Sequence, residues 1–481
     1  MAEHELDSPD LSDDDLLLED ADGLEDRPMI IRVFVRHLYG RYTYDLKIPE
    51  VDGDASRLIL LHGPNGSGKT KILRLIWDLL STDEDKGHKS SVARVPFREF
   101  LIEFSDGRSV RAIKSDGLVG SYSITVSNGD EETSITANFI VDGNMSIAPS
   151  VDYGMESDIG RVIWGSAVEI ITEKPKFNDS PIRQVMSFLK ELDVKPAMLA
   201  DDRNLYSDDR LQDRRGRRGS TRTAEQTPTE RVIEELQVAI RRVNDWLSSL
   251  ALSAQKSGSE EEAEIYLRVL SGLGGSSISD GSSESLTAAV EVAIDRLQFE
   301  VPAYSKFGLV APFDADAFKS LLDVIPVDKK RAAYEIILPY LNSISARITA
   351  LKQAEKLIRL ITSHANLYLR DKNLDFRPAY GLRVLTNENK PHHLKPADLS
   401  SGERQVLLLL CNALLARRGG SLFIIDEPEL SLGVIWQRRI LDSLLECTAG
   451  TPIQFIIATH SIEIVTKNRK SLVRLSAVSD E

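Results

Sequence analysis

Eight residues at 63–70, G-P-N-G-S-G-K-T, carry the first chemistry legible in the chain. They follow the apolar run 58–62 and precede a stretch with Ile72, Leu75, Ile76 and Leu79 on one helical face. In that setting the pattern G-x-x-x-x-G-K-[ST] is built to bind phosphate. Gly63, Gly66 and Gly68, with Pro64, Asn65 and Ser67 between them, let the backbone wrap an anion. Successive amides and the helix N-terminus point at its oxygens. Lys69 is placed to reach β- and γ-phosphates, and the Thr70 hydroxyl to hold Mg²⁺. A second candidate lies far downstream, at L-F-I-I-D-E over 422–427. A carboxylate ending a buried strand is where open α/β sheets hold ligand groups. Asp426 is the candidate for a Mg²⁺ ligand and Glu427 for the general base that polarises an attacking water.

Elements must bring these segments together across 363 residues, Gly63 to Asp426. Residues 30–35 and 58–62 read as strands, the second a continuous apolar run of the kind buried in a mostly parallel sheet, and further strand signals fall at 421–425 and 453–459. Between about 97 and 172, short β-rich runs alternate with turn formers, which predicts an antiparallel meander. Residues 205–365 read as mainly helical, broken by Gly/Ser- and Arg-rich loops, and a short strand signal returns at 383–386. Around 334–361, Ile337, Leu341, Ile344, Ile348, Leu351 and Ile358 recur at three- and four-residue steps, with Glu355 interrupting the seam. That spacing fits a helical hairpin packed on a domain better than a protruding coiled coil.

Two further motifs flank the acidic strand: L-S-S-G-E-R-Q at 399–405, ahead of an apolar helix, and F-I-I-A-T-H-S at 455–461, ending on His460. The order phosphate loop, Leu-Ser-x-Gly-Glu, apolar strand with Asp-Glu, strand with His resembles the ABC-type ATPases. The Leu-Ser-x-Gly-Glu element discriminates, because other phosphate-loop enzymes lack it. The resemblance rests on residues 30–80 and 380–465. It implies an α/β P-loop head with a mostly parallel core sheet, an antiparallel β subdomain and an inserted helical lobe. The expected divisions are 1–27 as an acidic tail, 28–200 and 376–481 as the two parts of the head, and 201–375 as the lobe.

The family's composite site implies the remaining roles. ATP, with Mg²⁺, would lie between the phosphate loop of one copy and the signature of another. Ser400, Ser401, Gly402 and Glu403 would approach the γ-phosphate in trans, Ser400 and Gly402 as its binders, while His460 would contact it in cis. The loop Ser431-Leu432-Gly433 would face the other copy. One copy of each motif per chain makes a homodimer the minimum active unit. Ser401 departs from the usual glycine, and no glutamine occupies a clear magnesium-sensing position: between 71 and 225 only Gln184 and Gln212 occur, which leaves Arg203 as a candidate or a plain salt-bridge partner.

The long separation of phosphate loop and acidic strand looks unlike transporter ATPases and like the soluble RecF/SMC/OLD-like branch, especially the compact subunits of anti-phage systems such as PARIS and Septu. That implies a sensor or scaffold controlling a separate nuclease or toxin; the alternative is a repair or chromosome-maintenance ATPase clamping DNA itself. No nuclease pattern accompanies the ATPase motifs. A subunit of a membrane importer is the third reading, disfavoured by the long insertion.

Charge and composition bound these readings. The chain has 481 residues, Lys+Arg 59 against Asp+Glu 74 and a net charge of -15. Twelve acids and no Lys or Arg fall within residues 1–26, so the remainder is close to balanced and offers no general basic field for nucleic acid. The tail serves either as a solubiliser or as a decoy for a basic surface. Arg214, Arg215, Arg217, Arg218 and Arg222 form a local basic loop, suited to phosphates or simply solvated. No apolar run is long enough for a membrane span, and the acidic start is the wrong sign for a leader. With only Cys411 and Cys447, neither a disulfide framework nor a thiolate zinc site is expected. The expectation is a cytoplasmic protein.

Overall fold

Parallel pairing of the apolar runs brings the distant motifs side by side. In the computed structural model, described over residues 27–51, 54–83, 87–129, 133–141, 160–164, 167–171, 180–200, 205–207, 227–274 and 283–476, two compact units emerge. One comprises Leu236–Leu414; the other is built from the chain between 27 and 235 and from 415 to 476. We call them the helical unit and the sheet unit.

The sheet unit holds a six-stranded sheet in the order Leu205–Ser207, Pro196–Leu199, Leu422–Asp426, Gln454–Thr459, Leu58–His62, Leu472–Arg474. All neighbours are parallel except Leu205–Ser207, which runs antiparallel to Pro196–Leu199. Register decides the chemistry. Asp426 lies beside Ala458, and Thr459 beside His62, so the carboxyl ends of three strands finish at one edge. Every residue of Leu422–Asp426 and of Gln454–Thr459 is buried, as expected for central strands covered on both faces.

A second six-stranded sheet is antiparallel throughout, in the order Tyr42–Lys47, Ile30–Leu38, Glu99–Phe104, Ser109–Lys114, Tyr122–Ser127, Ile135–Phe139. Its last four strands are the expected meander, with Ser109–Lys114 added, while the strand read at 30–35 joins this sheet and not the parallel one. A separate hairpin pairs Gly160–Trp164 with Ala167–Ile171. The helix Lys69–Leu80 buries Ile72, Leu75, Ile76 and Leu79 in one core cluster with Ile59, Leu61, Ile424 and Ile456 of the parallel sheet and Val33, Val35, Phe100 and Ile102 of the antiparallel one. At about 1.5–3 kcal/mol per fully buried aliphatic side chain, this helix is held by packing far more than by its own propensity. Its C-terminal carbonyls are satisfied by Lys89, whose Nζ donates to Asp78 O at 2.9 Å, Leu79 O at 2.7 Å and Ser81 O at 3.1 Å.

In the helical unit, Ser283–Ser305 packs along Val327–Asn366. Val290, Ile294, Leu297 and Val301 of the first are buried at helical spacing, as are Leu341, Ile348, Leu351 and Ile358 of the second. Ile337 and Ile344 are only half-buried, so the seam is less regular than its sequence. Glu355, which interrupts it, is buried and accepts from Arg359 Nε at 3.2 Å. The strands Lys372–Arg377, Gly381–Thr386 and His393–Leu394 form a small antiparallel sheet, and the helix Ser401–Ala416 carries the chain back across the 414/415 division.

The acidic segment 1–26, Arg203, and the arginine loop of Arg214, Arg215, Arg217, Arg218 and Arg222 lie outside the described residues. Gln184 lies in the helix Pro181–Glu191. Among the described residues, no helix is long and apolar enough to cross a membrane.

Candidate functional site

The loop 63–70 leaves the end of Leu58–His62 and enters the helix Lys69–Leu80, as its pattern requires. Gly66 and Gly68 have φ of 78° and 95°, in the left-handed region. At Gly68 a Cβ would also stand 2.5 Å from Leu38 Cδ2, so a side chain is excluded by space as well as by backbone. Lys69 is buried, its Nζ donating to Gly63 O at 2.9 Å and Pro64 O at 3.0 Å. Burial lowers the Lys69 pKa; the carboxylates of Glu427, Asp426 and Glu429 work against that and favour the ammonium. The Ser67 hydroxyl is buried and makes no hydrogen bond among the described residues, which leaves it a ready donor for an anionic oxygen.

Around this loop opens a cleft of about 600 Å³, lined by Asn65, Gly66, Gly68, Lys69, Thr70 and Lys71, by Glu427 and His460, and by Tyr39, Arg41 and Tyr42. Residues from two distant stretches of the chain, 39–71 and 427–460, thus meet where the sheet register ends. Asp426 is buried at the last position of its strand. Glu427 turns out of the strand with φ of 51°, and its N–H still donates to Ala458 O at 2.9 Å. A left-handed non-glycine costs about 1–2 kcal/mol, held here by the neighbouring strand and spent at the residue that faces the cleft. His460 Nε2 stands 3.4 Å from Glu427 Oε1, both side chains being about one-third exposed at 33% and 31%. The oxygen donors Thr70 and Asp426 suit a hard cation such as Mg²⁺, which takes few protein ligands and completes its shell with phosphate and water. No cluster of three or more His, Cys, Asp or Glu able to hold a metal occurs among the described residues.

Two contributions escaped the sequence. Glu429 gathers the start of the 460 loop: its Oε1 accepts from Thr459 Oγ1 at 2.8 Å, His460 N at 2.6 Å and Ser461 N at 3.1 Å. Ser461 then caps the following helix, accepting from Ile464 N at 3.2 Å. Nothing in the spacing of D-E-P-E announces this clamp; it exists only once Leu422–Asp426 and Gln454–Thr459 are neighbours. The second is the turn joining Ile30–Leu38 to Tyr42–Lys47. There the Arg41 guanidinium lies 5.5 Å over the Tyr42 ring, and Tyr42 stacks on Tyr44 at 5.7 Å. Tyr44 closes the series by donating to Ser67 O at 3.0 Å. The run Y-G-R-Y at 39–42, two aromatics and a cation around a glycine, was the available signal.

Ser400, Ser401, Gly402 and Glu403 belong to the helical unit and are not in the lining of this cleft. They form a capped helix start: Glu403 Oε2 accepts from Ser400 N at 2.8 Å, and Ser400 Oγ accepts from Glu403 N at 3.3 Å. Arg404 donates to Leu399 O at 2.6 Å, fixing the approach to the motif.

Residues 305–466 match the family described as "AAA domain, putative AbiEii toxin, Type IV TA system", a stretch that includes the signature, Asp426, Glu427 and His460 but not the phosphate loop. Over 82 residues the chain is 35% identical to the lipoprotein-releasing system ATP-binding protein LolD of Ruegeria pomeroyi, covering 17% of this chain and 34% of that protein. The chain therefore spans about a third of the length of the curated relative it matches. Among solved structures, the Smc head domain with an extended coiled coil bound to the C-terminal domain of ScpA, from Pyrococcus furiosus, superposes with a TM-score of 0.36 at 11% identity over 94% of this chain and 96% of that one. The Smc head bound to the C-winged helix domain of ScpA gives 0.34 at 11% identity over 94% and 98%. The chain is thus similar over part of its length to ATPases of the AAA/ABC type, and its fold is α/β with parallel and antiparallel sheets.

Proposed function

We propose that the chain is an ATP-hydrolysing switch whose two copies close head to tail around ATP and control a separate effector. The convergence of Lys69, Glu427 and His460 on one cleft carries this reading. Lys69 and the loop amides bind the β- and γ-phosphates; Tyr39, Arg41 and Tyr42 receive the base by stacking. Thr70 and Asp426 would hold Mg²⁺, which would supply charge neutralisation of the phosphates. Glu427 accepts the proton of the attacking water, and His460, fixed by Glu429, donates to the γ-phosphate. Ser400, Ser401, Gly402 and Glu403 of the second copy complete the site from a helix N-terminus, where backbone amides favour anions. In this organisation 28–200 and 376–481 act as the head, 201–375 as the inserted lobe and 1–27 as an acidic tail.

The effector we propose is a nuclease or toxin in anti-phage defence, in a cytoplasmic setting of the PARIS or Septu kind. What supports it is the toxin system named in the description of the matching family. The test is capture from native cells with Glu427→Gln protein, ATP and Mg²⁺. A stoichiometric protein companion released on ATP withdrawal supports the switch. Duplex DNA without a protein companion instead supports a repair-type clamp, and the arginine loop would then be its grip.

A further inference from the structure

Glu403 is 5% exposed, and a carboxylate so buried must be paired to stay charged. One oxygen accepts from Ser400 N; the other accepts from Lys372 Nζ at 2.7 Å. Lys372 opens the strand Lys372–Arg377, two residues before Leu374. Leu374 is in turn gripped by the last residue of the long helix: Asn366 Oδ1 accepts from Leu374 N at 2.6 Å, and Asn366 Nδ2 donates to Leu374 O at 3.2 Å. Every group in this chain of contacts lies within the helical unit.

We propose that Lys372 is a positioning residue that fixes Ser400 through Glu403 and links the long helix Val327–Asn366 to the signature. The inference rests on the reading that Ser400 binds the γ-phosphate held by another copy. Its chemistry follows from hydrogen-bond direction. Ser400 Oγ accepts from Glu403 N, and the Ser400 N–H and hydroxyl both face the Glu403 carboxylate, so that carboxylate sets the orientation of Ser400. That orientation lasts only while the Glu403 carboxylate stays in place. Burial raises the pKa of Glu403, but the Lys372 ammonium and the Ser400 groups outweigh it and hold the carboxyl below its ordinary value. Without the ammonium, Glu403 either takes a proton or turns to solvent, and both release Ser400. A load on the long helix, borne by the strand that Asn366 grips, would move Lys372 and so change how the signature is presented.

The experiment measures ATP-dependent dimerisation of full-length Glu427→Gln protein by sedimentation, with Lys372→Met, Lys372→Gln, Lys372→Arg or Ser400→Arg added. Lys372→Met should weaken dimerisation about tenfold or more, as expected when a buried charge loses its partner. Lys372→Gln should behave alike, and Lys372→Arg should restore most of the loss. At protein concentrations too low for dimers, the affinity of each Lys372 variant's own cleft for a fluorescent ATP analogue should stay unchanged, a result that general unfolding would not give. Normal dimerisation of both Lys372→Met and Lys372→Gln, alongside a defective Ser400→Arg, overturns the positioning role and leaves the head-to-tail reading standing. Normal dimerisation of Ser400→Arg overturns the head-to-tail reading, and this inference with it.

Discussion

Lys69 has two carbonyl partners in its own loop and three carboxylates near enough to favour its charge. Replacing it with alanine removes the only flexible cation of the motif, so Lys69→Ala should lower kcat/KM for ATP by about a hundredfold or more, measured by phosphate release. Glu429 acts at one remove. Glu429→Ala should leave nucleotide affinity near normal and lower kcat by roughly tenfold, because three donors around His460 lose their acceptor. Glu429→Gln keeps one acceptor oxygen and should recover much of that rate; equal defects in the two variants would contradict a hydrogen-bonding role. The contrast between these residues shows what sequence can disclose. Lys69 sits in a pattern that is local, eight residues long, with a chemical reason for each glycine. Glu429 matters through strands that only the folded sheet brings together, and Tyr39, Arg41 and Tyr42 matter through a turn whose distance from the loop depends on two sheets.

Strands and helices carry a different kind of information. The apolar runs at 58–62, 421–425 and 453–459 were legible because central parallel strands are apolar on both faces, and their carboxyl ends then had to share an edge. The strand at 30–35 was equally legible, but its sheet was not: Val33 and Val35 are buried on alternate positions of an antiparallel partner, a pattern that period alone does not assign to a sheet. Lys372–Arg377 and Leu472–Arg474 were missed, the first because charges alternate through it and the second because it is three residues long. The long helix Val327–Asn366 adds a pH dependence. His364 is buried near its end, and burial lowers its pKa from an ordinary 6.5 to about 4. The unfolded chain therefore takes up a proton before the folded one does. Stability is full above about 6.5 and falls as pH drops towards 4, by up to about 3 kcal/mol from this group. His364→Gln should flatten the melting temperature of the protein across that window, whereas an unchanged slope would exclude His364 as its source.

At the scale of the whole molecule, the cleft and the signature lie in different compact units of the chain. A site completed by another copy makes that separation useful, since each unit then contributes one half of a pair of sites. On this account Glu427→Gln should reduce turnover by about a hundredfold or more while retaining ATP, and should sediment as a dimer only when ATP is present. The most direct measurement of the central claim combines two silent variants. Lys69→Ala lacks the phosphate-binding half and Ser400→Arg lacks the signature half, so neither should hydrolyse ATP alone. Mixed in equal amounts, they form heterodimers with one intact composite site, and phosphate release should reappear. A mixture as inactive as its components, with both proteins folded and able to associate, would contradict a site shared between copies.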